Sequence, residues 1–315
     1  MIDIETVRRR NELYEFLRRF FNDRGYIETE TPLLTDRVVP ESSISLFRTE
    51  SDNGFGRRQP LYLIPSPEVT MKKILAEWPG QSIFQIGKSF RNGEVKTGIH
   101  NREFTMLEYY TRNAGMYDSL RLTETLFSEL PFGPRTLRRH FRQLTMAELF
   151  TAAFREPLDA ILGEGGEGTH RRLKEICRRH GLRTAETDTA ADLFNLLFVS
   201  HIEPNLPKGE PVAILEYPAV IATTAALCPD GLYSQRWELY FNGCELCNCY
   251  TEGTDLERLR PLLAEEAALQ GAPADETFID ACGRLGHCSG NALGVDRLLM
   301  LLLKKKDIEE ILIPC

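Results

Sequence analysis

The stretch from Phe84 to Tyr110, FQIGKSFRNGEVKTGIHNREFTMLEYY, constrains the fold more than any other part of the chain. Apolar residues alternate with polar ones at both of its ends, which is the pattern of half-buried β-strands. Between the ends lies a polar loop that contains Gly93 and Gly98. The stretch therefore predicts an antiparallel hairpin with a long loop. Charged residues flank this loop on both sides: Lys88, Arg91 and Glu94 before it, Arg102, Glu103 and Glu108 after it.

The charges around this loop admit two interpretations. An arginine guanidinium can bind phosphate oxygens with two parallel hydrogen bonds, and carboxylates on the returning strand suit a cationic ligand. The alternative is an exposed hairpin whose charged side chains are simply solvated. The hairpin alone does not decide between a binding site and an ordinary surface.

Composition narrows the class of protein. The 315 residues are 42% hydrophobic, and 38 Lys and Arg stand against 46 Asp and Glu, for a net charge of −8. Such a balance disfavours non-specific binding to nucleic acid. No apolar run approaches the ~18 residues of a membrane span, and the N-terminus lacks the apolar segment of a secretory signal. We therefore expect a cytoplasmic protein with no membrane partner, in which the eight cysteines form no disulfide framework.

The rest of the chain separates into helical and strand-like segments. Helices are predicted from Asp3 or Thr6 to about Arg24, after Ser66-Pro67-Glu68, through most of 117–203, around 255–270, around 275–285, and after Arg297. A strand-like segment is predicted within 25–35, where Pro32 ends the strand. Further strands are predicted at 61–64, at 212–217 and in a second hairpin at 236–250 that turns at Asn242-Gly243. Residues 51–60 and 163–170 are predicted as polar loops. Because helices and hairpins do not alternate, the pattern favours an α+β fold.

Five short motifs occur along the chain in a fixed order. They are GYIETETP, SPE (66–68), FRNGE with HNREFTMLEYY, ELCNCYTE (245–252) and GNALGVDRLLM from Gly290. In this order they resemble the motifs of class II aminoacyl-tRNA synthetases, and within that class the lysyl subgroup. The resemblance covers nearly the whole chain. It implies an antiparallel sheet flanked by helices, with residues 1–315 forming a single catalytic domain.

Two features make the chain more similar to a smaller group of relatives, the elongation factor P lysine ligases. Met1 lies only a few residues before the first-motif helix, so we expect no N-terminal anticodon-binding domain and no tRNA substrate. Ala292 stands where lysyl-tRNA synthetases usually have glycine, and its methyl group could favour (R)-β-lysine over α-lysine. One methylene is worth only ~1–3 kcal/mol of discrimination, so both amino acids remain candidates.

The resemblance implies a site for ATP and Mg²⁺. Adenylate formation depends mainly on positioning and on stabilising charge, which suits two arginines as catalytic residues. By the resemblance, Arg91 holds the α-phosphate, whereas Arg297 holds the γ-phosphate and stacks on adenine opposite Phe104. Other residues expected at the nucleotide are Glu94, Asn101, Glu245, Leu246 and Gly294, and those expected at Mg²⁺ are Glu238 and Glu245.

The resemblance also implies a pocket for a lysine-like amino acid. Glu68 would meet the amino group near the reacting carboxylate, and Glu108, Tyr110 and Glu252 would surround the distal ammonium. Carboxylates are needed because an unpaired buried ammonium is costly. Residues expected to add hydrogen bonds or shape are Ser66, Asn248 and Ala292. The alternative is that each carboxylate forms an ordinary ion pair on the protein surface.

Two kinds of partner follow from the resemblance. Elongation factor P would be the protein acceptor, and Pro32 with the first helix would form a homodimer interface. The alternatives are a synthetase-like enzyme that acts on tRNA or a small amine, and a catalytically silent paralogue that senses amino acids. Only the altered loop at Gly93 and Glu94, where many relatives have a carboxylate in place of Gly93, supports the silent paralogue. Other departures from the family pattern are Arg102 in place of proline, Gly253 in place of leucine, and Cys247 and Cys249 in place of smaller residues.

The cysteines of the second hairpin also suggest a metal site. Cys244, Cys247 and Cys249, joined by Cys282, His287 and Cys288, superficially match zinc spacing. We favour small apolar cysteines instead. On a regular strand Cys244 and Cys247 point to opposite faces and cannot converge on one ion without a bulge.

Overall fold

The computed structural model describes residues 3–38, 41, 43–52, 54–93 and 98–313. Within these ranges the strands are β1 (Ile27–Glu28), β2 (Leu34–Thr35), β3 (Arg48–Asp52), β4 (Arg58–Leu63), β5 (Ile83–Phe90), β6 (Glu103–Arg112), β7 (Arg142–Thr145), β8 (Pro211–Pro218), β9 (Tyr233–Phe241), β10 (Cys244–Thr251) and β11 (Cys288–Gly294). The α-helices are α1 (Ile4–Asn22), α2 (Glu68–Glu77), α3 (Met116–Ser128), α4 (Met146–Phe154), α5 (Leu158–Leu162), α6 (Gly166–Arg179), α7 (Ala190–Leu197), α8 (Leu256–Leu269), α9 (Glu276–Arg284) and α10 (Val295–Leu302).

Eight of the strands form one sheet in the order β1-β5-β6-β11-β10-β9-β8-β7. The pairs from β5 to β8 are antiparallel, whereas the two edge strands β1 and β7 pair in parallel. A smaller sheet contains β2, β4 and β3. The α+β fold with a synthetase-like sheet is therefore confirmed, with the addition of parallel edges. Because parallel neighbours need a long crossover, helices α4 to α7 lie between β7 and β8.

Both predicted hairpins are present. The strands β5 and β6 pair directly from Ile83↔Tyr110 to Phe90↔Glu103. The turn between β9 and β10 holds Asn242 at φ 54° and Gly243 at φ 80°. Two positive φ angles in a row define the hairpin turn that Asn-Gly favours, since its twist matches that of the strands.

The main core lies behind the eight-stranded sheet. Every second residue of the central strands points into it, including Leu107, Leu239 and Leu293, none of which is exposed to solvent. Helices α1, α3 and α10 cover this face. The ring of Phe21 from α1 stacks on that of Phe84 from β5, with ring centroids 5.1 Å apart. This packing leaves the other face of the sheet open for a site.

A second core lies under the crossover helices. Apolar side chains of α4 to α7 pack on β8 and β9, with Phe150, Phe194 and Tyr240 among the buried residues. The crossover continues past α7 as one π-helical turn, Phe198–Ile202. Asn195, Phe198 and Val199 reach the open face of the sheet from this side.

Three predictions of local structure were wrong. The predicted loop at 163–170 is short, because α6 begins at Gly166 and buries Thr169, Leu173 and Ile176, and this packing outweighs the low helix propensity of glycine. The predicted loop at 51–60 includes the end of β3 and the start of β4. These strands are exposed, so they carry no apolar alternation. The predicted strand before Pro32 ends at Glu28.

Two strands of the eight-stranded sheet were missed. The strand β7 lies inside a region predicted as mainly helical. The strand β11 was taken only as the lead into the last helix, because glycines weaken a strand signal. It lies in the middle of the sheet between β6 and β10.

Candidate active site

One face of the sheet carries the polar residues that the motifs contribute. Strand register places Ala292 of β11 between Glu108 of β6 and Asn248 of β10, and Asn248 in turn lies beside Glu238 of β9. On this face β11 presents only small residues, Gly290, Ala292 and Gly294. Small residues on the central strand leave room above the sheet. The room is a cavity of about 1040 Å³.

At one end of this cavity two arginines lie close to acidic and aromatic side chains. The guanidinium of Arg91 lies 5.3 Å from the ring centroid of Phe104. Arg297 donates from Nε to the Ile99 carbonyl at 3.2 Å and from Nη1 to the Glu245 carbonyl at 3.0 Å. The Arg297 Nη1 atom also lies 3.6 Å from Glu245 Oε2. These contacts hold planar guanidinium groups in fixed positions, which suits phosphate binding.

Glu238 anchors a network between the two ends. Its Oε2 atom accepts hydrogen bonds from the hydroxyls of Tyr217, at 2.5 Å, and Tyr240, at 2.8 Å. Its Oε1 atom pairs with Arg236. The Arg236 guanidinium lies 4.4 Å from the Tyr217 ring centroid and 5.6 Å from that of Tyr250. Aromatic faces and one acid thus keep this cation in the cavity wall.

Glu245, at the end with the two arginines, lies close to charges of both signs. Burial and the nearby charge of Glu238 raise the pKa of Glu245 to about 7, although Arg297 and Arg91 oppose the rise. A divalent cation would relieve the repulsion that Glu245 feels from Glu238, and hard oxygen donors are what Mg²⁺ prefers. The donor chemistry of Glu238 and Glu245 is therefore compatible with a magnesium ion.

At the other end of the cavity an internal lysine lies between two acids. Lys72 of α2 contacts Glu68 Oε1 at 2.5 Å and Glu252 Oε2 at 2.6 Å through its Nζ atom. It also donates to Thr224 Oγ1 at 2.9 Å. Burial raises the pKa of Glu252 to about 7, and the Lys72 ammonium opposes that rise. Burial alone would lower the pKa of Lys72, but the charges of Glu252 and Glu68 hold it well above its usual value.

Glu108 has no such cation. Its Oε1 atom accepts a hydrogen bond from the Tyr110 hydroxyl at 2.7 Å. Its Oε2 atom is buried and has no hydrogen-bond partner among the described residues. Burial, followed by the charge of Glu68, raises the pKa of Glu108 well above its usual value. A buried carboxylate in this state is suited to a cationic ligand.

Unpartnered polar atoms are concentrated in this cavity. Ser66 Oγ, Glu108 Oε2, Arg236 Nε and Asn248 Oδ1 are all buried without a hydrogen-bond partner in the described part of the chain. Each of these residues lines the cavity. Buried polar groups in native proteins are nearly always paired, so several unpaired atoms in one cavity indicate a polar ligand.

The structure brings nearly all predicted site residues to this cavity. Those that line it are Ser66, Glu68, Arg91, Asn101, Phe104, Glu108, Tyr110, Glu238, Glu245, Leu246, Asn248, Glu252, Ala292, Gly294 and Arg297. Glu94 lies outside the described residues. The role of each residue stays a prediction, because lining a cavity does not by itself assign a function.

Two lining residues, Arg236 and Glu41, and the buried Lys72 that contacts the lining acids escaped the sequence analysis. Lys72 could have been found from its spacing, four residues after Glu68 on one helix face. Arg236 lies two residues before Glu238 and so shares its face of the strand. Glu41 also lines the cavity, and burial raises its pKa to about 7, with Arg91 and Lys72 among the charges that oppose the rise. No pattern in the sequence marks Glu41.

The geometric argument about the cysteines was wrong. Leu246 forms a bulge in β10, since Glu245 pairs with Tyr240 and Cys247 with Leu239. The bulge turns Cys244, Cys247 and Cys249 toward the same core, where all three are buried. Within the described ranges, no group of three or more His, Cys, Asp or Glu side chains is placed to hold a metal ion. The expectation of small apolar cysteines stays a prediction.

Comparison with known proteins identifies the family. The family model described as tRNA synthetases class II (D, K and N) matches residues 4–313. A protein of Haemophilus ducreyi named elongation factor P–(R)-β-lysine ligase is 33% identical across 98% of this chain and 93% of its own length. A protein of the same name from Proteus mirabilis is 33% identical across 98% and 94%. A homologue of that ligase from Aquifex aeolicus is 33% identical across 93% of each chain.

The chain therefore belongs to the class II tRNA synthetase family. Within that family it is similar over nearly its whole length to proteins named elongation factor P–(R)-β-lysine ligase, as the sequence motifs predicted. None of the helices formed by the described residues combines the length and apolar character that crossing a bilayer requires.

Proposed function

We propose that this chain is an ATP-dependent ligase that attaches lysine or (R)-β-lysine to elongation factor P. In the first step a carboxylate oxygen of the amino acid attacks the α-phosphorus of ATP, and the bond to pyrophosphate breaks. In the second step the ε-amino group of an acceptor lysine attacks the acyl carbon, loses a proton, and AMP leaves. The observation that carries this proposal is the cavity in which phosphate-suited arginines and several acids, among them the buried Glu108 and Glu252, lie together.

In the first step the nucleotide end of the cavity would bind ATP. Arg91 would hold the α-phosphate and stabilise the charge that develops there, while Arg297 would hold the γ-phosphate. Both guanidinium groups are preorganised by their protein contacts, so little reorganisation is needed at the moment of reaction. Phe104 would stack on adenine, and Asn101, Leu246 and Gly294 would contact the nucleotide.

Mg²⁺ would be held by Glu238 and Glu245 together with phosphate oxygens. When bound, it would neutralise phosphate charge. Arg236 keeps Glu238 oriented toward the cavity wall through their ion pair. Its aromatic neighbours Tyr217 and Tyr250 restrict its movement.

The amino-acid end would bind the diamine. Glu108, with its Oε1 atom held by Tyr110, would offer Oε2 to the distal ammonium. Glu252 would lie on the other side of that ammonium, and Glu68 would meet the amino group near the reacting carboxylate. Ser66 and Asn248 would add hydrogen bonds from atoms that now lack described partners. Ala292 lies directly beside Glu108 and would shape the floor.

The proposal extends to assembly and location. We propose a cytoplasmic homodimer in which α1 and the segment around Pro32 form the interface. Exposed apolar side chains at Ile27, Leu33 and Leu34 support an interface there. We propose that tRNA is not a substrate.

A modification assay tests the proposal. The chain would be incubated with ATP, Mg²⁺, elongation factor P and either α-lysine or (R)-β-lysine, and the acceptor would be weighed by mass spectrometry. We expect a mass increase by one aminoacyl group, which is absent with the Arg297→Ala variant and with an acceptor whose target lysine is changed to arginine. A parallel arm with tRNA should give no aminoacyl-tRNA.

Two results would favour the alternatives. Charging of tRNA without modification of the protein would favour a synthetase. Binding of lysine with neither product and no pyrophosphate release would favour a silent sensor.

A further inference from the structure

Lys72, which contacts two acids of the cavity wall, is unusual because its side chain is completely buried. Its exposed fraction is 0%, although lysine is almost never fully buried unless it is paired. The ammonium has three donors, and it contacts three oxygens: Glu68 Oε1, Glu252 Oε2 and Thr224 Oγ1. Two of these contacts are hydrogen bonds, to Glu68 and Thr224, and the third is an ion pair with Glu252.

Lys72 changes the charge that the amino-acid end presents. Three acids, Glu68, Glu108 and Glu252, line this end. The Lys72 ammonium contacts two of them, and Glu108 keeps a buried oxygen without a described partner. When Lys72, Glu68, Glu108 and Glu252 are all ionised, these four groups together carry two negative charges, and Glu41, which also lines the cavity, can only add to them. A ligand with two ammonium groups would balance this charge, whereas an amino acid with one would leave a buried charge uncompensated.

We propose that Lys72 is a positioning residue that acts as an internal counter-cation of the amino-acid pocket. It holds the carboxylates of Glu68 and Glu252 in place and neutralises one of the three acids, so that the pocket is complementary to an amino acid with two ammonium groups. This inference rests on the proposed function and assigns the selection of a diamino acid partly to a residue that need not touch it.

A plain structural role for Lys72 makes a different prediction. Lys72 would then stabilise the fold through two ion pairs, and its loss would lower the melting temperature without coupling to Glu252 in ligand binding. A double-mutant comparison separates these two roles, because coupling appears only when both residues serve the same pocket charge.

The experiment measures amino-acid and ATP affinity by calorimetry on the full chain. The variants are Glu252→Gln, Lys72→Met, the double variant Lys72→Met/Glu252→Gln, and Lys72→Arg. The Glu252→Gln variant leaves the pocket with too little negative charge, and the double variant restores two negative charges. We expect Lys72→Met to weaken lysine binding at least about 10-fold, with ATP affinity changed by less than about 2-fold. Lys72→Arg, which keeps the charge, should lose less.

The decisive comparison does not require Lys72→Met to fold. We expect the double variant to bind α-lysine or (R)-β-lysine at least as tightly as Glu252→Gln alone. If the two substitutions act independently, their separate fold-losses in lysine affinity multiply. A double variant that binds lysine more weakly than the wild type by this multiplied factor would overturn the inference.

Lys73→Met is the matched control. Lys73 is the next residue on α2, but its Nζ atom pairs with Asp275 at 2.7 Å and its side chain is 33% exposed. We expect lysine affinity within about 2-fold of the wild type for this variant. An equal loss in Lys73→Met and Lys72→Met would show a general effect of α2 and overturn the inference.

The wild-type chain separates failure of this inference from failure of the proposed function. If the wild type binds no diamino acid, the proposed function fails and the inference falls with it. If the wild type binds lysine and the double variant is merely additive, the inference alone fails.

Discussion

The two ends of the cavity hold their charged side chains in different ways. At the nucleotide end, Arg297 is positioned by backbone carbonyls and keeps 22% of its side chain exposed. At the amino-acid end, Glu108 and Glu252 are buried; Lys72 pairs with Glu252, whereas Glu108 Oε2 has no hydrogen-bond partner among the described residues. Arginine stays charged at any ordinary pH, whereas buried carboxyls titrate.

This difference indicates which end of the cavity should select the amino acid and which end should respond to pH. The nucleotide end offers permanent positive charge that is ready before ATP arrives, which favours rate. The amino-acid end lacks enough positive charge and so selects a ligand that brings it. Variants at the two ends should therefore separate the affinities for ATP and for the amino acid.

The largest effect is expected at the nucleotide end. Arg91→Ala or Arg297→Ala should lower the rate of lysine-dependent ATP–pyrophosphate exchange by at least about 100-fold, because each removes a preorganised donor to phosphate. Lysine affinity, measured by calorimetry without ATP, should stay nearly unchanged. Arg297→Lys is the control that keeps charge but loses the planar fork. Normal exchange in either alanine variant would contradict the assignment.

The next largest effect is expected at Glu108. Glu108→Gln keeps the shape of the side chain but removes the charge that faces the distal ammonium. The loss of lysine affinity should be about 2–3 kcal/mol, which corresponds to about 30- to 150-fold. ATP affinity should be nearly unchanged in the same calorimetric series. Equal losses of lysine affinity and ATP affinity would contradict the assignment of the two ends to different ligands.

A smaller effect is expected from filling the floor of the amino-acid end. A methyl group at Gly290 would overlap Glu252 Oε1 and Tyr110 Cε1, because both atoms lie much closer than van der Waals contact. Gly290→Ala should therefore displace both side chains and raise the KM for lysine about 10-fold, with the KM for ATP kept. Gly286→Ala is no suitable control, because Gly286 has φ 65°. Gly80→Ala is suitable, since no atom of the described residues lies within 4 Å of a methyl group there.

The smallest effect concerns stability and pH. Burial raises the pKa of Glu108 in the folded state above its ordinary value of 4.5. The folded chain therefore holds a proton that the unfolded chain releases, and the stability from this carboxyl is fully present below about pH 4.5 and lost as pH rises through its folded pKa. Each unit of raised pKa is worth on the order of 1 kcal/mol. Urea unfolding without ligand should show this decline, and Glu108→Gln should flatten it. An unchanged slope in that variant would contradict the assignment.

Much of this account could be predicted from the sequence. Period-two alternation and the Asn242-Gly243 turn predicted both hairpins, since these signals are local. The motifs supplied residues that lie together on the open face of the sheet, because alternate positions on neighbouring strands share a side.

Other features depend on distant contacts and could not be predicted. The strand β11 is held by its neighbours β6 and β10, although its glycines favour no strand. The helix α6 begins in a glycine-rich stretch because tertiary packing buries one of its faces. The Lys72–Glu252 ion pair joins residues 180 positions apart, and only the fold brings them together.

The most direct test of one cavity with two unlike ends is ATP–pyrophosphate exchange by the wild-type chain, screened across amino acids. Exchange should depend on α-lysine or (R)-β-lysine and be weak with norleucine, which has the chain length of lysine but no distal ammonium. Equal exchange with norleucine and with lysine, or no exchange with any diamino acid, would contradict the account.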